Sequence, residues 1–151
     1  MSAVSPAVHT LHCHCGAVVM QLHGTPAVSA ICHCSACRDL YGSIVLAATA
    51  WLPGQLSHVG DPDMLLTYRH PTRQMQRTTC RRCGELVHGS NRFDYAVVPN
   101  ARFLRQHDGR LPDELAPTMH LFYAYRMFDI ADTLPKYLEG WDGPLYATPQ
   151  G

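Results

Sequence analysis

The chain has 151 residues, enough for one domain with a core of its own. Apolar residues make up 46% and charged residues 16%, which excludes a disordered chain. Twelve Lys+Arg against twelve Asp+Glu leave no net basic field, which excludes a general nucleic-acid binder.

Residues 1–8 read as a loose leader, without the basic region and apolar run of a secretory signal. Residues 8–13 are strand-like and run into Cys13-His14-Cys15-Gly16; valine-rich residues 17–22 return from it as a hairpin. Gly24-Thr25-Pro26 is a turn, and 28–32 form a short strand that delivers Cys32-His33-Cys34-Ser35-Ala36-Cys37-Arg38. Residues 35–40 make a helical turn, broken by Gly42. Residues 43–48 read as a buried strand, 51–54 as a turn and 55–59 as a weak strand. After the Gly60-Asp61-Pro62-Asp63 turn, 64–70 form a strand. Residues 74–79 lead into Cys80-Arg81-Arg82-Cys83-Gly84, and 85–88 return from it. Residues 93–98 form a strand ended by Pro99-Asn100. Residues 105–117 hold Gly109, Pro112 and Pro117 and read as an irregular loop. The most strand-like run is 118–126, and 131–151 pack as turns anchored by Tyr137 and Trp141.

No segment keeps a helical period, and short strands between turn signals argue a mostly-β chain. With no internal repeat or linker, one domain over 1–151 is expected, its core at about 10–140. Residues 43–54 are too short to span a bilayer and contain Pro53, so no membrane partner is expected. A reducing, cytoplasmic compartment suits free thiols.

All seven cysteines fall in the three clusters, leaving none as core filler. Thiolates are soft anionic ligands, and zinc takes up to four in a tetrahedron. A two-cysteine knuckle cannot fill a tetrahedron alone, and each flanking pair ends in a glycine that permits a tight turn. The spacing therefore joins Cys13 and Cys15 to Cys80 and Cys83 as a closed site. Cys32, Cys34 and Cys37 remain as a local set of three, and three ligands with one open position is the arrangement of a catalytic zinc. Competing readings are disulfides, against which seven is odd; a single structural zinc with the other thiols free; and an iron–sulfur cluster, for which ferredoxin spacings are missing. His33 sits beside the triplet but lies between two ligands, a position that points away from a shared metal.

These cysteine clusters, with the Gly42-Ser43 that follows the triplet, Met119-His120-Leu121-Phe122 and Leu134-Pro135-Lys136-Tyr137, make the chain resemble the glutathione-dependent formaldehyde-activating enzyme family, which also includes centromere protein V. The resemblance runs from about residue 10 to residue 140. It implies a Mss4-like fold of small antiparallel sheets stapled by zinc. It implies two zinc ions per chain: a structural one on Cys13, Cys15, Cys80 and Cys83, and a catalytic one on Cys32, Cys34 and Cys37. It implies a carbon–sulfur lyase whose partners are glutathione and formaldehyde, joined as S-hydroxymethylglutathione.

A tripeptide thiol has two carboxylates, and Arg38, directly after the triplet, is the candidate to bind one. Arg69, Arg73 and Arg77 recur every fourth residue, but in a strand-rich region they read as solvated surface charges. His120 is the candidate proton shuttle by its ordinary pKa, against the simpler reading of a core histidine bonded to backbone. Against the enzyme stands a non-enzymatic zinc module that binds a protein partner; a fourth ligand closing the triplet would favour it. Chromatin binding is disfavoured by the balanced charge, and redox or metal sensing by the triplet stays open. Exposed strands and small size allow a homodimer.

Overall fold

The computed structural model describes residues 8–147. The expected leader lies outside the described residues except for Val8, which opens the first strand.

Strand β1 (Val8–His12) and strand β2 (Val19–His23) alternate buried and outward residues, and pair antiparallel with Leu11 opposite Met20. Between them the chain reverses at Cys13, whose carbonyl accepts from the N–H of Gly16; Gly16 holds φ +79°, which favours a residue without a Cβ. Strand β3 (Val28–Cys32) runs into helix α1 (Ser35–Tyr41), which Gly42 ends in the left-handed conformation. Strands β4 (Leu46–Trp51), β5 (Leu56–Val59), β6 (Leu65–Arg69), β7 (Gln76–Cys80), β8 (Leu86–Ser90) and β9 (Ala96–Pro99) follow. Helix α2 (Ala101–Leu104) and the two-residue strand β10 (His120–Leu121) complete the elements that position the site.

One sheet has the order β1-β2-β5, and the other β10-β3-β4-β9-β8-β7-β6. Among the described strands, all pairings are antiparallel except β10 with β3. Leu11, Met20 and Leu22 of the small sheet cluster with Trp51 and Val98 of the large one and with Phe103 of α2. The chain is mostly β, built of small antiparallel sheets with cysteine clusters able to take metal, which is the Mss4-like arrangement expected.

Several expected boundaries are corrected. Strand β4 starts at Leu46, not at residue 43, and includes Trp51, which was expected in a turn; Trp51 pairs with Ala96 and is fully buried. Strand β9 starts at Ala96, not at Phe93. The Asn91 side-chain oxygen accepts from the N–H groups of Phe93 and Tyr95, and Asp94 has φ +63°, so a turn precedes the strand.

The largest correction is at 118–126. Only His120 and Leu121 are strand; Phe122 turns left-handed at φ 57°, and Tyr123–Tyr125 is a 3-10 turn. The N–H groups of His120, Phe122, Tyr123 and Ala124 are taken by carbonyls of Pro135, Glu139, Tyr137 and Leu138. The segment is thus walled by the tail on one side and β3 on the other, and its apolar pattern reflects burial from several directions. The tail forms turns as expected, with Tyr137 half-buried, but Trp141 is 45% exposed and anchors nothing in the core.

Candidate metal centres

The first knuckle, between β1 and β2, and the second, between β7 and β8, meet. Cys13, Cys15, Cys80 and Cys83 place their sulfurs within 4.8 Å of one another. Cys13 Sγ lies 3.6 Å from Cys15 Sγ, which lies 3.7 Å from Cys80 Sγ. A tetrahedral zinc with Zn–S near 2.3 Å sets sulfurs about 3.8 Å apart, so these four fit the ion. Backbone N–H groups of Val18 and Cys83 donate to Cys13 Sγ and Cys80 Sγ. The Glu85 N–H is the foremost of the groups that hold the Cys83 thiol down at about 6.

Behind the second knuckle, Glu85 is buried. Its carboxylate lies 2.6 Å from both Arg102 and Arg105 and 3.1 Å from His14. Arg105 also donates to the His12 carbonyl, so α2 ties both knuckles together.

The second group is Cys32, Cys34 and Cys37. Strand β3 ends on Cys32, and Cys34 caps α1, accepting from the N–H of Cys37 at 3.2 Å. Cys32 Sγ lies 3.3 Å from Cys34 Sγ and 3.4 Å from Cys37 Sγ, again compatible with one soft ion. Donation from the Cys32 thiol, then from Cys37, pushes the Cys34 thiol down to about 3; Cys32 is pushed up to about 12 chiefly by Cys34, and Cys37 is raised chiefly by Cys32. Three sulfurs this close, one of them with its thiol held low, form a donor set that suits a soft cation. Among the described residues no fourth Cys, His, Asp or Glu joins this group.

His33 points away from the triplet. It is buried, its Nε2 lies 2.9 Å from His120 Nδ1, and His120 Nε2 lies 2.8 Å from Asp132. Lys136 holds the other Asp132 oxygen at 2.7 Å. Burial, then the neighbouring His120, pushes His33 down to about 4. The expected contact between His120 and backbone is replaced by this side-chain chain. Arg38 donates to the carbonyls of His33 and Tyr125, stapling the triplet loop to the segment after β10.

A cavity of about 430 Å³ opens over the triplet. Its floor is one face of the large sheet: Val28, Ala30 and Cys32 of β3 lie directly opposite Ala50, Ala48 and Leu46 of β4. Leu121 and Val97 extend the floor on the two flanking strands. The alternation that turns Leu121 to the cavity turns His120 to the other face, so His120 is not on the wall, and neither is Arg38. Phe122 and Tyr125 are on it, as is Arg73, which was read as a surface charge; Arg92, Glu139 and Trp141 are on it and were missed as site residues. Arg73 carried a faint signal in its four-residue spacing, but loop residues have no period that reports where they converge. Among the described residues no helix is long and apolar enough to cross a membrane.

A crystal structure of a Rhodobacter sphaeroides protein is similar at 26% identity, covering 69% of this chain and 98% of that one, with a TM-score of 0.49. No curated protein matches. The family model described as glutathione-dependent formaldehyde-activating enzyme matches residues 8–125, a span that contains all seven cysteines of the two groups. The chain belongs to the glutathione-dependent formaldehyde-activating enzyme family.

Proposed function

We propose that the protein is a zinc-dependent enzyme that makes and breaks a carbon–sulfur bond between a thiol and an aldehyde, a lyase in the breaking direction. The observation that carries this is the open group of three sulfurs on the floor of a cavity, beside a separate closed group of four. Cys13, Cys15, Cys80 and Cys83 hold a structural zinc that joins the two knuckles; Cys32, Cys34 and Cys37 hold a second one with a free position. Bound there, zinc would acidify a thiol that ligates it, supplying a thiolate at neutral pH.

The chain's own residues do the rest. The apolar floor excludes water and holds the aldehyde against the thiolate sulfur. As the new C–S bond forms, the carbonyl π pair moves to oxygen, which takes up the proton the thiol gave away. Tyr125 donates to Glu139 at 3.0 Å on the cavity wall, and this pair is the side-chain route for that proton. Nothing else is consumed, and reversal cleaves the hemithioacetal. His120 acts through His33, as a positioning residue behind the triplet, and Arg38 holds the loop in place.

The test is hemithioacetal formation from glutathione and formaldehyde, followed by NMR exchange with zinc-loaded protein. Acceleration that disappears in Cys34→Ser, together with a change in the sulfur-to-metal bands of cobalt-substituted protein on adding thiol, is expected. No acceleration with two metals bound and unchanged bands would reject the reading.

A further inference from the structure

The cavity floor is more apolar than a one-carbon aldehyde and a tripeptide thiol require. Its central pairs are Val28–Ala50, Ala30–Ala48 and Cys32–Leu46, and the three alanines leave the volume that a ligand would fill. Glutathione would lay two peptide groups on this slab, where the Val28–Ala50 and Ala30–Ala48 pairs offer them no hydrogen-bonding side chain.

Polar groups stand around the slab, Tyr125 and Glu139 on the wall and others at its two ends. At one end stands the cysteine triplet. At the other, where Val28 pairs with Ala50, the chain leaves the sheet in two loops. Ser90 and Ala96 are paired where β8 gives way to β9, next to Trp51. Gln76, which opens β7 after the other loop, donates its N–H to Ser90 at this same end. These loops bring Arg73 and Arg92 to the cavity. Both are exposed, and among the described residues neither guanidinium has an ion-pair partner. Phe93 and Trp141, 46% and 45% exposed with ring centroids 5.6 Å apart, stand at the same mouth as an uncovered aromatic pair. From Cys32 back to Val28, β3 covers about 13 Å at a strand's rise of ~3.3 Å per residue.

We infer that the site takes a medium-chain carboxylic acid with its reactive thiol or aldehyde at the ω end. The reactive group sits at the triplet, the methylene chain on the alanine floor, and the carboxylate between Arg73 and Arg92. This rests on the thiol–aldehyde reading and names the reactant for it.

The probes are ω-mercaptooctanoate, ω-mercaptooctanol, octanoate and glutathione, titrated into zinc-loaded protein by calorimetry. The acid thiol binds about tenfold more tightly than glutathione, since each buried methylene adds affinity. It exceeds the alcohol thiol by about fivefold, and the preference vanishes in the Arg73→Gln/Arg92→Gln double variant. These arginines are exposed loop residues, so circular dichroism and zinc content serve as the check that the variant folds. Equal binding of acid and alcohol, a preference that survives in the double variant, or tighter binding of glutathione overturns the inference. Octanoate, which lacks a thiol, separates the two claims. Turnover of glutathione adducts without octanoate binding defeats the inference alone. Arginine-dependent octanoate binding without any thiol–aldehyde turnover upholds the acid subsite and defeats the reaction.

Discussion

The imidazoles of His33 and His120 share a 2.9 Å hydrogen bond inside the protein, from Nε2 of the first to Nδ1 of the second. With both rings neutral, Asp132 fixes its direction. The carboxyl, held down at about 2 by Lys136 first and by His120 next, is a carboxylate that accepts from His120 Nε2–H. His120 Nδ1 then accepts from His33 Nε2–H, and the backbone between two cysteines of the triplet is held by a chain anchored twelve residues beyond His120.

His120→Phe leaves the buried Nε2 of His33 without its partner. A loss of about 1–3 kcal/mol in stability follows. Zinc affinity at the triplet drops about tenfold while the four-cysteine group is unaffected, as for other groups that orient metal ligands from behind. Competition with a chromophoric chelator, which resolves the two classes of zinc, measures this. Equal weakening of both classes would mean that His120 supports the fold and not the triplet.

Glu85→Ala removes the carboxylate that Arg102 and Arg105 share at 2.6 Å. Both guanidiniums keep some contact with water, so the cost is about 2 kcal/mol, below that of a fully buried pair. Urea unfolding reads the stability. The four-cysteine zinc becomes the faster to leave, because the same carboxylate braces the second knuckle against α2. A variant with wild-type zinc release would separate this ion network from the metal.

Gly89→Ala tests how tightly α1 is seated. A Cβ at Gly89 would meet the Tyr41 ring carbons at 2.6 Å, and Tyr41 is the last residue of the helix that carries Cys37. The substitution costs about 1–3 kcal/mol through overpacking. Tyr41→Leu in the same chain restores part of it, and a double-mutant cycle gives a non-zero coupling. Additive losses would show that the ring moves aside freely.

Acid sensitivity follows from His88. Burial pushes this half-buried ring from its ordinary 6.5 down to about 4, and burial lowers its neighbour His58, 3.1 Å away, as well. The unfolded chain binds the proton more readily, so the stabilisation is whole above pH 6.5 and is lost as pH falls toward 4. Thermal melts of zinc-loaded protein between pH 7 and 4 show a decline of about 1–2 kcal/mol that His88→Gln reduces. An identical slope in the variant would assign the acid sensitivity elsewhere.

The frame of the fold was legible because its signals are local. Cysteine pairs ending in glycine, short alternating strands and the capped turn at 35–41 each depend on a few neighbouring residues. The cavity was not legible, because Ala30 and Ala48 look like ordinary strand alanines until the β3–β4 register sets them opposite each other. Arg73 and Arg92 sit on separate loops whose meeting is a property of the sheet. The 118–126 run misled because a chain enclosed by β3 and the tail carries the apolar density of a strand without its dihedrals.

The pairing of β10 with β3 also bears on how the protein matures. His33 and His120 stand 87 residues apart, so their contact closes one of the longest loops in the described chain. Loop entropy makes such contacts slow to form, and on the ribosome residue 120 emerges after every cysteine. The four-cysteine group closes a shorter loop, 65 residues from Cys15 to Cys80. All four of its ligands have emerged by Cys83, so during synthesis this group can assemble while the triplet still lacks its backing from His120.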